Sequence, residues 1–364
     1  MNARAQASTR FALPDRLSAR QPPEARGLAR DEVRLLVARG GTTGGTKIVH
    51  ARFTGLTDQL EPGDLIVVNT SATLPAALSG LRADGRRVEV HVSGPVADQV
   101  QIIEPRTPDG ERVTDARTGE RIVLDHGESI TLRAAHPDQA VRFGSRLWQA
   151  VFPGCVRDLL MRHGRPISYG YLDRSYPLAD YQTVFADTDR DFNRSCEMAS
   201  AEMASAGRPF SDRLVSRLVS LGIRFAPIML HTGVSSLEAD ETPLPERYEV
   251  SRPTAELINL TREQGHRIIA TGTTVTRAIE SAAAPDGRVS ASAGWTDLVI
   301  GPDRPVRAVG GLITGWHEPQ ASHLLLLEAV AGARLVQQAY TAALEQHYLW
   351  HEFGDSALFL PQLS

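Results

Sequence analysis

Gly272-Thr273-Thr274 joins a short apolar run to an apolar-faced helical pattern, and this junction carries the clearest chemistry in the chain. Gly272 permits a turn that side-chain-bearing residues resist. Thr273 and Thr274 are placed to cap the following helix through their hydroxyls. Together they would leave free backbone N–H groups and hydroxyls at the carboxyl end of a strand, which suits anionic or polar ligand groups. Arg277 and Glu280 follow, off the apolar face. Arg277 can pair with a carboxylate, and Glu280 can hold Arg277 or a sugar hydroxyl. The same pattern also occurs in ordinary βα turns, and an Arg–Glu pair on an exposed helix does little. Two histidines, His231 and His317, each lie two residues from a glycine, Gly233 and Gly315, that lets a ligand approach. Imidazole is suited to proton transfer near neutrality. His347 and His351 have i, i+4 spacing, but no acidic or cysteine partner accompanies them, so no metal site is expected.

The elements that must position these groups follow from periodicity. Ile268, Ile269 and Ala270 read as a buried strand. Val275, Ala278, Ile279, Ala282 and Ala283 fall on one helical face. Residues 33–38, 66–69, 223–230 and 298–300 read as further strands. Residues 211–221 and 254–264 read as helices, and 323–349 as a long apolar helical region broken at Gly332. Residues 81–146 differ in character. Glycines punctuate short alternating runs such as Arg87-Val88-Glu89-Val90-His91-Val92, the pattern of a small β-barrel or sandwich. The expected fold is an α/β main domain, residues 11–80 and 147–364, interrupted by a small all-β barrel-like insertion over 81–146, with 1–10 as a flexible tail.

At 364 residues and 42% hydrophobic content, the chain can build a large core. No apolar run approaches a bilayer span, and the first ten residues lack the apolar middle of a signal peptide. The two cysteines, Cys155 and Cys196, have neither metal nor redox spacing. A cytoplasmic location is the expectation. A net charge of −4 is unlike a dedicated nucleic-acid binder. The local repeat over 197–206 has two copies and is no solenoid.

The block Ala270-Thr271-Gly272-Thr273-Thr274-Val275-Thr276-Arg277-Ala278-Ile279-Glu280-Ser281 resembles a motif of the S-adenosylmethionine:tRNA ribosyltransferase-isomerases of queuosine biosynthesis. Further blocks follow in that family's order: Pro62-Gly63-Asp64-Leu65 with Asn69-Thr70-Ser71, then Tyr181-Gln182-Thr183-Val184, Leu230-His231-Thr232-Gly233, Thr314-Gly315-Trp316-His317 and Phe353-Gly354-Asp355. The resemblance spans about residues 11–360. It implies the barrel-interrupted α/β fold and S-adenosylmethionine as co-substrate. The implied reaction begins with proton removal from the ribose carbon beside the sulfonium. Adenine leaves, an acceptor amine attacks, the sugar rearranges to an epoxycyclopentane, and methionine departs. His231, His317 and Glu246 are the implied catalytic candidates. Asn69, Ser71, Tyr181, Gln182, Thr183, Arg208, Gly272, Thr273, Thr274, Arg277 and Glu280 are the binding candidates.

The chain departs from the family pattern at chemical positions. A family histidine is Pro209. Two more are absent from 241–246, where Glu246 alone remains of the motif. Two arginine positions are Ala72 and Ala77, while Arg208 is added. These departures are expected on the polar face of the pocket, where they would weigh against tRNA and toward a small-molecule acceptor. A protein that binds S-adenosylmethionine without turning it over is the third alternative. Oligomeric state is not legible.

Overall fold

The computed structural model describes residues 6–40, 45–97, 99–136, 145–193, 198–234, 244–319 and 321–362. Cys196 and residues 241–243 lie outside them.

In chain order the strands are β1 (Arg34–Gly40), β2 (Thr46–Arg52), β3 (Leu65–Asn69), β4 (Ala77–Leu81), β5 (Arg87–Ala97), β6 (Val100–Arg106), β7 (Arg121–Leu124), β8 (Ser129–His136), β9 (Leu147–Val151), β10 (Arg224–Leu230), β11 (Glu246–Val250), β12 (Ile268–Thr271), β13 (Ser292–Thr296), β14 (Gly311–Thr314) and β15 (Ser356–Leu360). The helices are α1 (Val156–His163), α2 (Thr188–Asn193), α3 (Asp212–Ser220), α4 (Arg252–Glu263), α5 (Thr273–Ser281), α6 (His323–Ala331) and α7 (Ala333–Glu345).

Nine strands form one sheet in the order β13-β11-β10-β3-β12-β14-β15-β1-β2. β10, β3, β12 and β14 are mutually parallel, so their carboxyl ends share one edge. β15 runs antiparallel to β14, so its amino end reaches the same edge. β3 is buried along its whole length. Its alternate residues serve two cores. Leu65 and Val67 pack with Ala270, Val275, Ile279 and Tyr340 on one face. Ile66 and Val68 pack with Phe53, Phe210, Leu214 and Leu218 on the other. An unbroken apolar run is what a strand covered on both sides requires.

Six strands, β4-β5-β6-β9-β8-β7, close into an antiparallel barrel. Inward residues alternate along it, with Val88, Val90 and Val92 facing Ile103, Ile122, Ile130 and Trp148. The α/β domain with an inserted barrel is therefore the observed architecture. The barrel's first and last strands extend beyond 81–146 on both sides.

Local signals explain most boundaries. Ser211 caps α3 by accepting from Leu214 N–H at 3.1 Å. Gly332, at φ +82°, separates α6 from α7. Two expectations fail. Residues 298–300 are irregular, because the side chain of Arg277 binds the Leu298 carbonyl and Thr296 Oγ1 accepts its N–H, which takes that backbone out of a ladder. Residues 7–10 of the expected tail are docked. Thr9 is buried, its N–H and hydroxyl both donate to Glu328, and Gln337 accepts from Arg10 N–H.

The Pro62-Gly63-Asp64-Leu65 block anchors the amino end of β3. Gly63, at φ +98°, lies against the His266 ring, where a Cβ would come within 2.4 Å. Asp64 is buried and accepts from Glu61 N–H, Arg267 N–H and the Arg267 guanidinium. Replacing Asp64 with alanine strands that guanidinium and two amides. Chemical denaturation is expected to register a loss of about 3 kcal/mol.

Candidate active site

A cavity of about 1010 Å³ opens between the barrel and the carboxyl edge of the large sheet. β12 delivers Gly272 there, and β14 delivers His317. The barrel contributes His91 and Arg106, and the chain before β15 contributes His351 and Glu352. A crevice outside strand carboxyl ends is the usual ligand position in such sheets.

Gly272 has φ +94°, its N–H donates to Ile313 O at 2.7 Å, and an added Cβ would sit 3.2 Å from that of Ala206. Only glycine meets this turn without strain. Thr273 and Thr274 do not cap α5, contrary to expectation. Thr273 is already the first helical residue, the cap position is Gly272, and no side chain caps the helix. Both threonines line the cavity. The positive end of α5 therefore opens onto the ligand space.

Arg277 and Glu280 are both buried and do not pair with each other. Arg277 Nη1 is paired with Glu246, while Nε and Nη2 donate to the carbonyls of Leu298 and Thr296, each at 3.1 Å. Burial raises the pKa of Glu246, and the Arg277 charge and the Gly233 N–H oppose that shift. Both Arg277 and Glu246 line the cavity. Glu280 does not: it accepts the N–H groups of Arg307, Ala308 and Val309 and ties down that loop.

His317 lines the cavity, with Nε2 3.0 Å from Thr314 Oγ1 and its ring stacked on His323 at 4.7 Å. Its carbonyl accepts from Trp350 Nε1 and its N–H donates to Tyr340. Burial holds the His317 imidazole well below its ordinary range, and the neighbouring His323 and His351 add to the effect. Burial likewise pushes His323 down to about 4. Both rings are neutral at pH 7.

His231 is not brought to this cavity. It lines a smaller one of about 390 Å³ next to it, and its Nδ1 is hydrogen-bonded to Ser71 Oγ at 2.7 Å. Ser71 Oγ also meets Ser200 Oγ at 2.6 Å. Asn69 bridges strands: Oδ1 accepts from Leu230 N–H and Ser71 N–H, and Nδ2 donates to Leu230 O. Gln182 clamps both backbone groups of Thr73, and Thr183 Oγ1 accepts from Phe185 N–H. Arg208 is buried away from the cavity, bound to Glu24 and the Asp180 carbonyl and packed over Phe353. Tyr181 does line the cavity. His347 and His351 lie beyond the end of α7 at positive φ, so the helical spacing that would aim both at one ion does not exist. Among the departures, Leu244 lines the cavity, whereas Ala72, Ala77 and Pro209 do not. They do not gather on its polar face.

Several cavity groups escape sequence reasoning. Tyr169, Tyr171 and His351 stack in near-parallel order, with centroids 5.9 and 3.9 Å apart. Tyr169 donates to Glu202, and Tyr171 donates to Glu352. Tyr169 and Tyr171 flank a glycine, which is a faint signal. His323 sits alone in an apolar helix and gives none.

The fold is that of an α/β protein with an inserted barrel and a large cavity at the sheet edge, lined by neutral imidazoles and an open helix amino end. The queuosine biosynthesis protein family model matches residues 7–359. The chain belongs to that family. It is 32% identical over 362 residues to the S-adenosylmethionine:tRNA ribosyltransferase-isomerase of Carboxydothermus hydrogenoformans, covering 96% of this chain and 98% of that one. It is 30% identical over 361 residues to the protein of that name from Thermoanaerobacter sp. strain X514, with the same coverage. The S-adenosylmethionine tRNA ribosyltransferase structure from Thermotoga maritima aligns with a TM-score of 0.52 at 27% identity, covering 96% of this chain and 99% of that one. Among the described residues no helix is long and apolar enough to cross a membrane.

Glu246 and Arg277 form a buried pair, so breaking it from one side leaves an uncompensated charge. Glu246→Ala and Arg277→Ala are each expected to cost about 3–5 kcal/mol in equilibrium unfolding, with the double variant losing clearly less than their sum.

Proposed function

We propose that this chain is a ribosyltransferase-isomerase that uses S-adenosylmethionine as ribosyl donor and the aminomethyl group of 7-aminomethyl-7-deazaguanine in tRNA as acceptor, releasing adenine and methionine in the cytoplasm. The observation that carries this reading is the uncapped amino end of α5 opening into a large cavity beside neutral imidazoles. The free N–H groups of α5 suit the carboxylate of the amino-acid moiety. Arg277 is already neutralised by Glu246, so the carboxylate falls to the helix end and Arg277 holds that wall in place.

A sulfonium is a cation in a confined space. Neutral His317 and His323 receive it without the repulsion that imidazolium would exert. His317 is the leading proton-handling group near the sulfonium, because it lines the cavity and its ring is fixed by Thr314 and by stacking. Glu246 acts by holding Arg277. His231 acts one layer back, through Ser71 and Ser200. Tyr181 and the apolar stretch Leu298–Ile300 offer surface for adenine. The location of Ala72, Ala77 and Pro209 away from the cavity favours the tRNA acceptor over a small-molecule substitute.

The test is direct. Purified protein is incubated with S-adenosylmethionine and tRNA bearing 7-aminomethyl-7-deazaguanine, and adenine and methionine are quantified. Both are expected in equal amounts, in step with tRNA modification. His317→Ala is expected to lower kcat by about 100-fold or more. Full activity in that variant removes His317 from the mechanism. Turnover with no tRNA present contradicts the acceptor.

A further inference from the structure

Glu352 lines the cavity, and its carboxylate meets a tyrosine hydroxyl rather than an arginine. By contrast, Glu246 is paired with Arg277, and Glu104, behind the barrel wall, with Arg106 and Arg146. Glu352 has one side-chain partner among the described residues, the hydroxyl of Tyr171. It lines the cavity, as do Tyr171, Tyr169, Glu202 and His351. Its position is set from two sides. Phe353 behind it is fully buried among aromatic rings, and His351 before it is held by Ser18 and by stacking on Tyr171. The carboxylate therefore has a fixed location and an open face.

We propose, resting on the reading above, that Glu352 is a catalytic residue that receives the primary ammonium of the acceptor and takes its proton, releasing the amine as the nucleophile. An alkylammonium carries no lone pair and cannot attack carbon. In the step assigned here one N–H bond breaks, its electron pair stays on nitrogen, and the proton moves to a Glu352 carboxylate oxygen. The charges of the ammonium and the carboxylate cancel as a neutral amine and a neutral acid form. No other reagent is needed.

The surroundings fit that task. Burial pushes Glu352 up to about 7, and the nearby Glu202 charge adds to this, while the Tyr171 hydroxyl opposes it. The titratable groups facing it are Tyr171, Tyr169, Tyr181, Glu202 and His351. None is a permanent cation, and burial pushes His351 down to about 4, so it is neutral at pH 7. A carboxyl group poised near neutrality both holds an ammonium and competes for its proton, which a surface glutamate does poorly. The Tyr169–Tyr171–His351 stack supplies a flat wall beside it, suited to the planar base that carries the amine.

The experiment measures kcat/KM for tRNA bearing 7-aminomethyl-7-deazaguanine against pH, together with calorimetric binding of S-adenosylmethionine alone. It uses the full chain and the variants Glu352→Gln and Tyr171→Phe. In the native protein activity should fall as pH drops through about 7, where Glu352 becomes protonated. Glu352→Gln should lose about 100-fold in kcat/KM and lose that acid limb, with cofactor affinity held within about 3-fold. Tyr171→Phe removes a hydrogen bond to the ionised form, so the limb should move to higher pH. This second variant keeps the carboxylate and decides the matter if the glutamine variant folds poorly. An unchanged limb in either variant overturns the assignment. So does a parallel loss of cofactor binding and turnover, which would place Glu352 in the cofactor's own site. Absence of adenine and methionine release from the native protein fails the functional reading itself and takes this inference with it.

Discussion

β3 is hydrogen-bonded in parallel to both β10 and β12, and that pairing decides where the functional groups fall. Because the neighbours run the same way, their carboxyl ends emerge together. Asn69 then stitches that edge through both backbone groups of Leu230. At the opposite end Asp64 binds Arg267, so the strand is fixed at each terminus by a buried polar side chain. A one-residue slip in β3 would exchange its two core faces and detach both anchors. The cavity exists because that slip is forbidden.

Electrostatics within the cavity follow from burial. Burial against the cavity wall lowers the pKa of His317, His323 and His351, so each ring is held neutral. The same burial raises the pKa of the carboxyl groups of Glu246 and Glu352. Arg277 anchors one wall and is matched by Glu246, so little uncompensated positive charge faces the space. The open end of α5 is the exception, and its partial charge is localised at one point. A ligand that is anionic at one end and cationic in the middle matches this distribution. The barrel closes the remaining side with His91 and Arg106.

Backbone-dictated features were the most legible in the sequence. The apolar run 268–270, the glycine after it and the face formed by Val275, Ala278 and Ile279 predict β12, the turn and α5 with little error. Gly332 marks the break between α6 and α7, and the glycine-punctuated alternation marks the barrel. Side-chain roles were legible only in part. Arg277 and Glu280 belong to one motif and lie one helical turn apart, yet one lines the cavity and the other ties a distant loop. Their partners, Glu246 and residues 307–309, come from elsewhere in the chain. Asn69, Gln182 and Arg208 looked like ligand donors because polar residues in ordered motifs invite that reading. Each is consumed by backbone or by an ion pair whose second member sequence spacing does not reveal. The Tyr171–Glu352 contact joins residues 181 positions apart, and no local pattern encodes it.

A crystal structure of the protein soaked with S-adenosylmethionine tests the central claim most directly. The account predicts the amino-acid carboxylate on the backbone N–H groups of Thr273 and Thr274, with the rest of the molecule extending past His317 into the larger cavity. Density for the molecule in the smaller cavity beside His231, or on the outer face of the barrel, would contradict it.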